Sequence, residues 1–293
     1  EIINDDIRLL KDKHFKNADY MIDLAAISND VTGERYKKET FDINHLARVR
    51  NAKLAKKNGI KKYILPSSCS NYGKIKKTEI ATENFKLRPL TNYSKANSYA
   101  EKDILNLASN KFCVTVLRQG TVYGYSPKMR FDLVVNRMTY EAWKNNKILL
   151  MKDGTQRRPT LHIKDAIRAM FHILNTKNEI VNEQIFNVGG SNNNYMIKDL
   201  ADVINNHFKN KLDITWYGSN DHRSYFVSFD KIKNIGYKTN YSPFDGVKEI
   251  ISYLNKGKID LVDNTITLDW YETLEKWNNI IKNININNKI IKF

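Results

Sequence analysis

Lys62-Tyr-Ile-Leu-Pro-Ser-Ser68 is an apolar run too short for a helix, and it opens directly into a Ser-rich turn, so it reads as a buried strand. Upstream, Ala18-Asp-Tyr-Met-Ile-Asp-Leu-Ala-Ala26 has the same character and runs into polar Ser28-Asn29-Asp30. Between the two, Phe41, Ile43, Leu46, Val49, Leu54 and Ala55 recur at roughly helical spacing, which predicts a helix from Tyr36 to Asn58 ended by Gly59. Downstream, Tyr93 to Ser109 reads as a second helix and Phe112-Cys-Val-Thr-Val-Leu117 as a third strand. Strand, helix, strand, helix, strand implies parallel strands joined by crossover helices, a doubly wound α/β sheet.

Beyond Gly124 the pattern predicts a helix over Asp132 to Asn145, a strand over Lys147 to Met151, a turn at Asp153-Gly154, a helix over Asp165 to Asn175 and a strand over Gln184 to Val188. Ser191 to Phe293 mixes shorter elements punctuated by Gly218, Gly236, Gly246 and Gly257, and the tail Asn278 to Lys292 is either a last helix or a frayed end. The expected division is a doubly wound domain over 1–124, to which 163–190 return, and a smaller mixed α/β lobe from 125–162 and 191–293.

The chain has 293 residues, with 48 Lys+Arg against 32 Asp+Glu and a formal charge of +16. With 41% hydrophobic and 11% aromatic residues it has material for a core, which excludes a disordered polycation. No five like charges stand in a row, so the charge reads as a compositional habit more than a basic nucleic-acid arm. Cys69 and Cys113 are too few for a disulfide framework and lack zinc-site spacing, so a reducing, cytoplasmic setting without metal is expected. No apolar run approaches the ~20 residues of a membrane span.

Ligands of doubly wound sheets bind at the carboxyl ends of the strands, which here carry Leu24-Ala25-Ala26, then Ser67-Ser-Cys-Ser-Asn-Tyr-Gly73, then Arg118-Gln-Gly-Thr-Val-Tyr-Gly124. These segments, with Pro89-Leu-Thr-Asn-Tyr-Ser-Lys95, Glu101 and Arg158-Pro-Thr-Leu-His-Ile-Lys-Asp165, resemble in order the extended short-chain dehydrogenase/reductases, the NAD(P)-dependent nucleotide-sugar epimerases and dehydratases. The resemblance implies a Rossmann-like domain, NAD or NADP as cofactor, a nucleotide-sugar substrate, a homodimer, and neither nucleic acid nor membrane as partner. It implies Tyr93 as general base on a sugar hydroxyl, with Ser68 holding the same oxygen. Asp6, Ile7, Leu24, Ala25, Ala26 and Asn44 are the implied cofactor positions. Thr121, Lys128, Arg130, Asn136, Arg158 and Arg223 are the implied substrate positions, arginine being suited to grip a diphosphate bidentately.

Two departures bear on activity. Four residues after Tyr93 stands Asn97 where the resembling enzymes have Lys, and an amide carries no charge to lower a phenol pKa of about 10. Lys95, two residues on, projects from another face of the helix. Nor does the chain carry the Gly-rich phosphate turn that follows the first strand of such domains. It reads as starting near the third strand, N-terminally incomplete by roughly 50 residues at ~30 per βαβ unit, and is expected to bind NAD weakly. Cys69-Ser70 in place of the Asp-Glu pair of 4,6-dehydratases favours epimerisation or keto reduction over dehydration. Cys69 is expected to be a packed side chain rather than an acid, His162 a packing or capping residue, and Tyr72, Tyr123 and Trp143 core or pocket wall. A catalytically impaired pseudoenzyme is the main alternative function, and a nucleic-acid binder the minor one.

Overall fold

A computed structural model describes residues 2–76, 78–209, 211–218, 223–286 and 289–290. In chain order the elements are β1 (Tyr20–Ile22), α1 (Asp30–Arg35), α2 (Lys37–Phe41), a π-helical segment (Asp42–Ala47), α3 (Arg48–Lys57), β2 (Lys62–Ser68), α4 (Asn92–Leu105), β3 (Cys113–Gln119), β4 (Thr121–Tyr123) and α5 (Val134–Asn145). They continue with β5 (Lys147–Met151), β6 (Arg157–His162), α6 (Ile163–Asn175), α7 (Asn178–Val181), β7 (Gln184–Val188), β8 (Asn194–Met196), α8 (Ile197–His207), β9 (Asp213–Tyr217), α9 (Asp230–Asn234), α10 (Pro243–Asn255), α11 (Thr267–Ile284), β10 (Asn285–Ile286) and β11 (Lys289–Ile290).

Strands β1-β2-β3-β7 form a four-stranded, all-parallel sheet. Its centre is apolar on both faces, as doubly wound sheets require. Tyr63, Leu65, Val114 and Val116 pack with Ala52, Ala55, Ala100 and Ile104 of α3 and α4, whereas Ile64, Leu117 and Phe186 pack with Ala166, Ala169 and Ile173 of α6. Small alanines on these helices let them approach the sheet closely. A second cluster joins α5, β5, α8 and α10 through Met138, Ile148, Leu200 and Val247. The sheet of β4, β6 and β8 lies between, β6 parallel to β4 and antiparallel to β8, and β5 pairs with β9 in parallel.

Local chemistry moved several boundaries. The first strand is shorter than expected because β1 is the sheet edge, its ladder extended beyond the strand by Lys61 N–H to Asp19 O at 2.8 Å and Asp23 N–H to Ile64 O at 3.0 Å. The helix expected from Tyr36 is broken into α2, a π turn and α3, and a separate α1 precedes it, capped by Asn29, whose side chain accepts from Thr32 N–H. Helix α4 starts at Asn92 because the Thr91 side chain accepts from Ser94 N–H at 3.2 Å, closing the first turn. The tail is helical as far as Ile284; Asn287, Asn288, Ile291 and Lys292 fall outside the described residues. Among the described residues no helix is long and apolar enough to cross a membrane, and no group of three or more His, Cys, Asp or Glu could hold a metal ion.

Candidate active site

A cleft of 740 Å³ opens at the carboxyl ends of β2 and β3 and is closed on its far side by residues of α5, β5, β6 and the Arg223 to Tyr225 segment. Ser68, Tyr93, Thr121, Arg130, Arg158 and Arg223, far apart in sequence, all line it. Strand β2 delivers Ser68 as its last residue, and the serine side chain accepts from Ser70 N–H at 3.1 Å, so the chain turns with the hydroxyl at the strand tip. Tyr93 is placed by the α4 cap. Thr91 donates its hydroxyl to Asp30 at 2.5 Å, and Glu34 accepts from Asn92 N–H at 2.7 Å, binding α4 to α1. Contact is tight enough that a Cβ on Gly33 would lie 3.1 Å from Tyr93 Cβ.

Under the Ser67–Ser68 tip lies a buried polar network. Glu101 and Arg118 form a bidentate ion pair, with Nη2 to Oε2 at 2.7 Å, and Glu101 also accepts from Ser67 Oγ at 2.5 Å and Asn71 Nδ2 at 2.7 Å. Arg118 reaches on to the Tyr72 hydroxyl at 3.0 Å, which donates to Asn187 at 2.7 Å. With this network beneath it, the strand end holds its hydroxyls without depending on a ligand.

Tyr93 is half-buried, and its phenol is raised above its ordinary pKa, first by burial and then by the negative charge of Asp30. Arg48, Asn97 and Ser68 act in the opposite direction. Asn97 stands one turn along α4, 2% exposed, with its carbonyl oxygen accepting from Arg48 Nη1 at 3.3 Å.

The arginines differ in what they can offer a ligand. Arg130 is held by both oxygens of Asp132, at 2.8 and 2.9 Å, and by the Ser28 hydroxyl at 2.8 Å, so it works as a strut between the Ser28 loop and the turn that leads into α5. Burial pushes the Asp132 carboxyl up, but the Arg130 bonds and charge outweigh it and the pKa ends below the usual carboxylate value. Arg223 pairs with Asp30, and Arg158 lies over the Tyr225 ring with its carbon 5.1 Å from the centroid, its Nη1 donating to Arg157 O at 2.9 Å.

Other expected positions lie elsewhere. Asn136 is 2% exposed and fully engaged, its side chain accepting from Gly124 N–H at 3.0 Å and donating to Arg130 O at 2.9 Å, so it braces the cleft wall and does not line it. Lys128 is exposed and outside the lining. Asn44 clamps Ile27 from both sides, accepting its N–H and donating to its C=O at 2.8 Å each, which fixes the turn after Leu24, Ala25 and Ala26. Asp6 bonds Arg8, and Ile7 O accepts from Asn51 Nδ2 at 3.0 Å, both away from the cleft. Cys69 is buried, donates to Arg118 O at 3.3 Å, and burial pushes its thiol far up, so it is no acid/base group near neutrality. His162 caps α6 through Lys164 N–H at 3.2 Å and stacks on Tyr241. Tyr72 and Tyr123 are core, and half-buried Trp143 donates to Asn255 at 2.7 Å. Sequence reasoning missed Asp30, Asp132 and Arg48, because each derives its place from a partner distant along the chain.

The family model described as NAD dependent epimerase/dehydratase family matches residues 4–189, from the entry to β1 through β7. The chain belongs to that family. A curated relative, a putative UDP-glucose 4-epimerase of Methanocaldococcus jannaschii, is 24% identical over 266 residues, 87% of this chain and 84% of its own. Among solved structures, MoeE5 in complex with UDP-glucuronic acid and NAD superposes with a TM-score of 0.78 at 21% identity, covering 87% of this chain and 85% of that one. The UDP-glucuronic acid 4-epimerase of Bacillus cereus, in complex with UDP-glucuronic acid and NAD, gives 0.76 at 22%, over 86% and 80%. At these identities the structural likeness is one of fold. The epimerase/dehydratase family is one of NAD-dependent enzymes, and this chain is an enzyme of that type, with NAD as its cofactor.

Proposed function

We propose that the chain is an NAD-dependent epimerase, or a related keto reductase, acting on a nucleotide sugar, with Tyr93 as base and Ser68 holding the sugar oxygen. The convergence of these two hydroxyl side chains on one cleft, opposite Arg158 and Arg223, carries this reading. The relatives named above are described as epimerases or as complexes with UDP-sugars, which supports it.

The residues present fit the reactive half of the cofactor. Ala25 and Ala26 at the end of β1 are small and only half-buried, and the buried Asn97 amide has an N–H without a hydrogen-bond partner. Leu24, Ala25 and Ala26 would hold that half, and Asn97 or Tyr93 the adjoining ribose. Bound NAD supplies the hydride acceptor and donor. Of the chain's own groups, Ser68 donates a hydrogen bond to the sugar oxygen and Tyr93 takes its proton, which requires the phenolate. Arg158 and Arg223 grip the diphosphate and fix the sugar against the two hydroxyls. Phe131, Leu133 and Val134 line the cleft and exclude water from the reacting carbon.

The test is incubation of the chain with NAD and a panel of nucleotide sugars, followed by proton NMR of the anomeric region. Epimer formation abolished by Tyr93→Phe is expected, and epimer formed undiminished by Tyr93→Phe would refute the assignment. A catalytically impaired pseudoenzyme is the second reading, favoured by Asn97 at the position where the resembling enzymes have Lys; ligand binding with no turnover would establish it. Pairing of two copies is proposed through the π-helical segment with α3 and through α4, where Leu46 and Tyr99 are 56% and 51% exposed, and sedimentation velocity tests it.

A further inference from the structure

A tyrosine base needs a positive charge nearby, since an unperturbed phenol is almost wholly protonated at neutral pH and burial raises its pKa further. Helix α4 supplies none at Asn97. A charge does reach this point from the helix packed against α4. Arg48, the first residue of α3, is 2% exposed and brings the positive charge of a guanidinium.

Its geometry is defined on three sides. Nη2 donates to Asp23 O at 2.9 Å, Nη1 donates to Asn97 Oδ1 at 3.3 Å, and Nε stands 3.6 Å from Asp23 Oδ1. Asp23 is held in turn by the Tyr63 hydroxyl, which donates to Oδ2 at 2.5 Å. Because guanidinium has only donors, the Asn97 amide must face it with its oxygen, and the amide N–H is then left on the other side. That nitrogen is buried with no hydrogen-bond partner, one helical turn along α4 from Tyr93, where the Asn97 side chain favours the phenolate. The arrangement is a chain, Tyr63–Asp23–Arg48–Asn97–Tyr93, with a positive charge at its centre and a donor at its end.

We propose that Arg48 is the positioning residue for Tyr93, holding the Asn97 amide toward it and supplying the positive charge that favours its ionised form. The inference rests on Tyr93 being the base of the proposed reaction. It makes Asn97 a relay: the cation has moved from the tyrosine's own helix to the neighbouring one. The charged and polar groups that face Tyr93 are Asp30 from α1, Ser68 from β2, Asn97 from α4 and Arg48 from α3, and those that face Arg48 are Asp23 and Asn97. Asp30 opposes Arg48 at the phenol, but it is itself paired with Arg223.

The experiment uses the full chain with tyrosine labelled at Cζ, the Tyr93 resonance being assigned by its loss in Tyr93→Phe. Tyr93 titration is followed by NMR in the parent, Arg48→Lys, Arg48→Met, Arg48→Met/Asp23→Asn and Arg48→Met/Asn97→Lys. The two variants without a cation are expected to raise the Tyr93 titration by about one unit or more. Arg48→Lys stays near the parent, and moving the cation to position 97 restores the parent value. In turnover the acid limb of the pH profile moves with the titration, so kcat at neutral pH falls about tenfold or more with little change in KM. A Tyr93 titration unmoved in folded Arg48→Met/Asp23→Asn, which leaves no unpaired carboxylate, overturns the proposal. Should neither charge-deleting variant fold, Asn97→Leu, which cuts the relay, decides it by the same shift or its absence. A parent that titrates as expected yet turns over no nucleotide sugar refutes the proposed function and leaves this inference standing.

Discussion

Replacement of Glu101 by Leu removes one partner from a fully buried ion pair. Glu101 and Arg118 are 2% and 3% exposed, and the carboxylate accepts from Arg118 Nε at 3.1 Å and Nη2 at 2.7 Å, from Ser67 at 2.5 Å and from Asn71 at 2.7 Å. Burial works against the charge on Arg118, and Glu101 is what holds its pKa up. Without the carboxylate a buried guanidinium keeps only the Tyr72 hydroxyl at 3.0 Å and Glu83 O at 3.2 Å. Breaking such a pair costs about 3–5 kcal/mol, a large share of the ~5–15 kcal/mol that holds a domain folded. Urea denaturation followed by Trp fluorescence should therefore show a midpoint lowered by that loss divided by the slope, with the slope unchanged. Glu101→Leu/Arg118→Met, which removes both charges, should recover most of the loss. A loss below about 1 kcal/mol for the single variant, or no recovery in the double, would refute the view that this pair is what supports the Ser67–Ser68 tip.

Gly33→Ala sets a Cβ 3.1 Å from Tyr93 Cβ and 3.3 Å from its backbone nitrogen, so it is expected to lower kcat with little loss of stability, read by turnover and thermal melting together. Arg158→Ala should raise KM for a nucleotide sugar about tenfold or more and leave kcat much less affected, because a charge-assisted contact to the diphosphate is made equally before and during reaction. Burial keeps the Cys69 thiol protonated, so iodoacetamide at pH 8 should leave it unlabelled in the folded chain, and Cys69→Ala should turn over at the parent rate; rapid labelling would contradict both. The Asp132 carboxyl, held below its unfolded value, contributes stability above the unfolded pKa of about 4 that is lost as pH falls through the folded one. Asp132→Asn should flatten that acid limb in a pH series of urea midpoints.

The parallel sheet was legible in the sequence because its strands are buried on both faces and read as continuous apolar runs. Lys62 to Ser68 and Gln184 to Val188 appear with the boundaries their composition implies, as does Lys147 to Met151 in the separate pair with β9. The convergence of Ser68, Tyr93, Arg158 and Arg223 on one cleft was legible only through motif resemblance, since no local pattern relates positions so far apart. The inward face of the helical stretch after β1 was misread. Phe41, Ile43, Leu46, Val49, Leu54 and Ala55 defined the apolar periodicity, and Ala55 is buried as that implies, yet Leu46 is 56% exposed, while the polar Thr40, Asn44, Arg48 and Asn51 are buried alongside Ala47, Ala52 and Ala55. Periodicity locates an apolar stripe, and it misses the polar side chains that a helix buries next to that stripe against loops and strand tips.

That polar line itself separates positioning from simple support. Thr40 donates to Tyr36 O at 2.7 Å, Asn44 clamps Ile27, and Asn51 donates to Ile7 O at 3.0 Å, so three of its four members bond backbone groups of nearby turns with neutral side chains. Neutral groups suffice for that task, and burying a charge instead costs several kcal/mol before its partners offset it. Arg48 alone is charged, and alone reaches a side chain of α4. Asp23 compensates the charge within the protein, but compensation explains how the cation is tolerated and not why it is there. An Asn at position 48 could have bonded Asp23 O as Asn51 bonds Ile7 O. What it could not do is act on a phenol one helical turn away from Asn97, where a buried positive charge favours the ionised form of Tyr93.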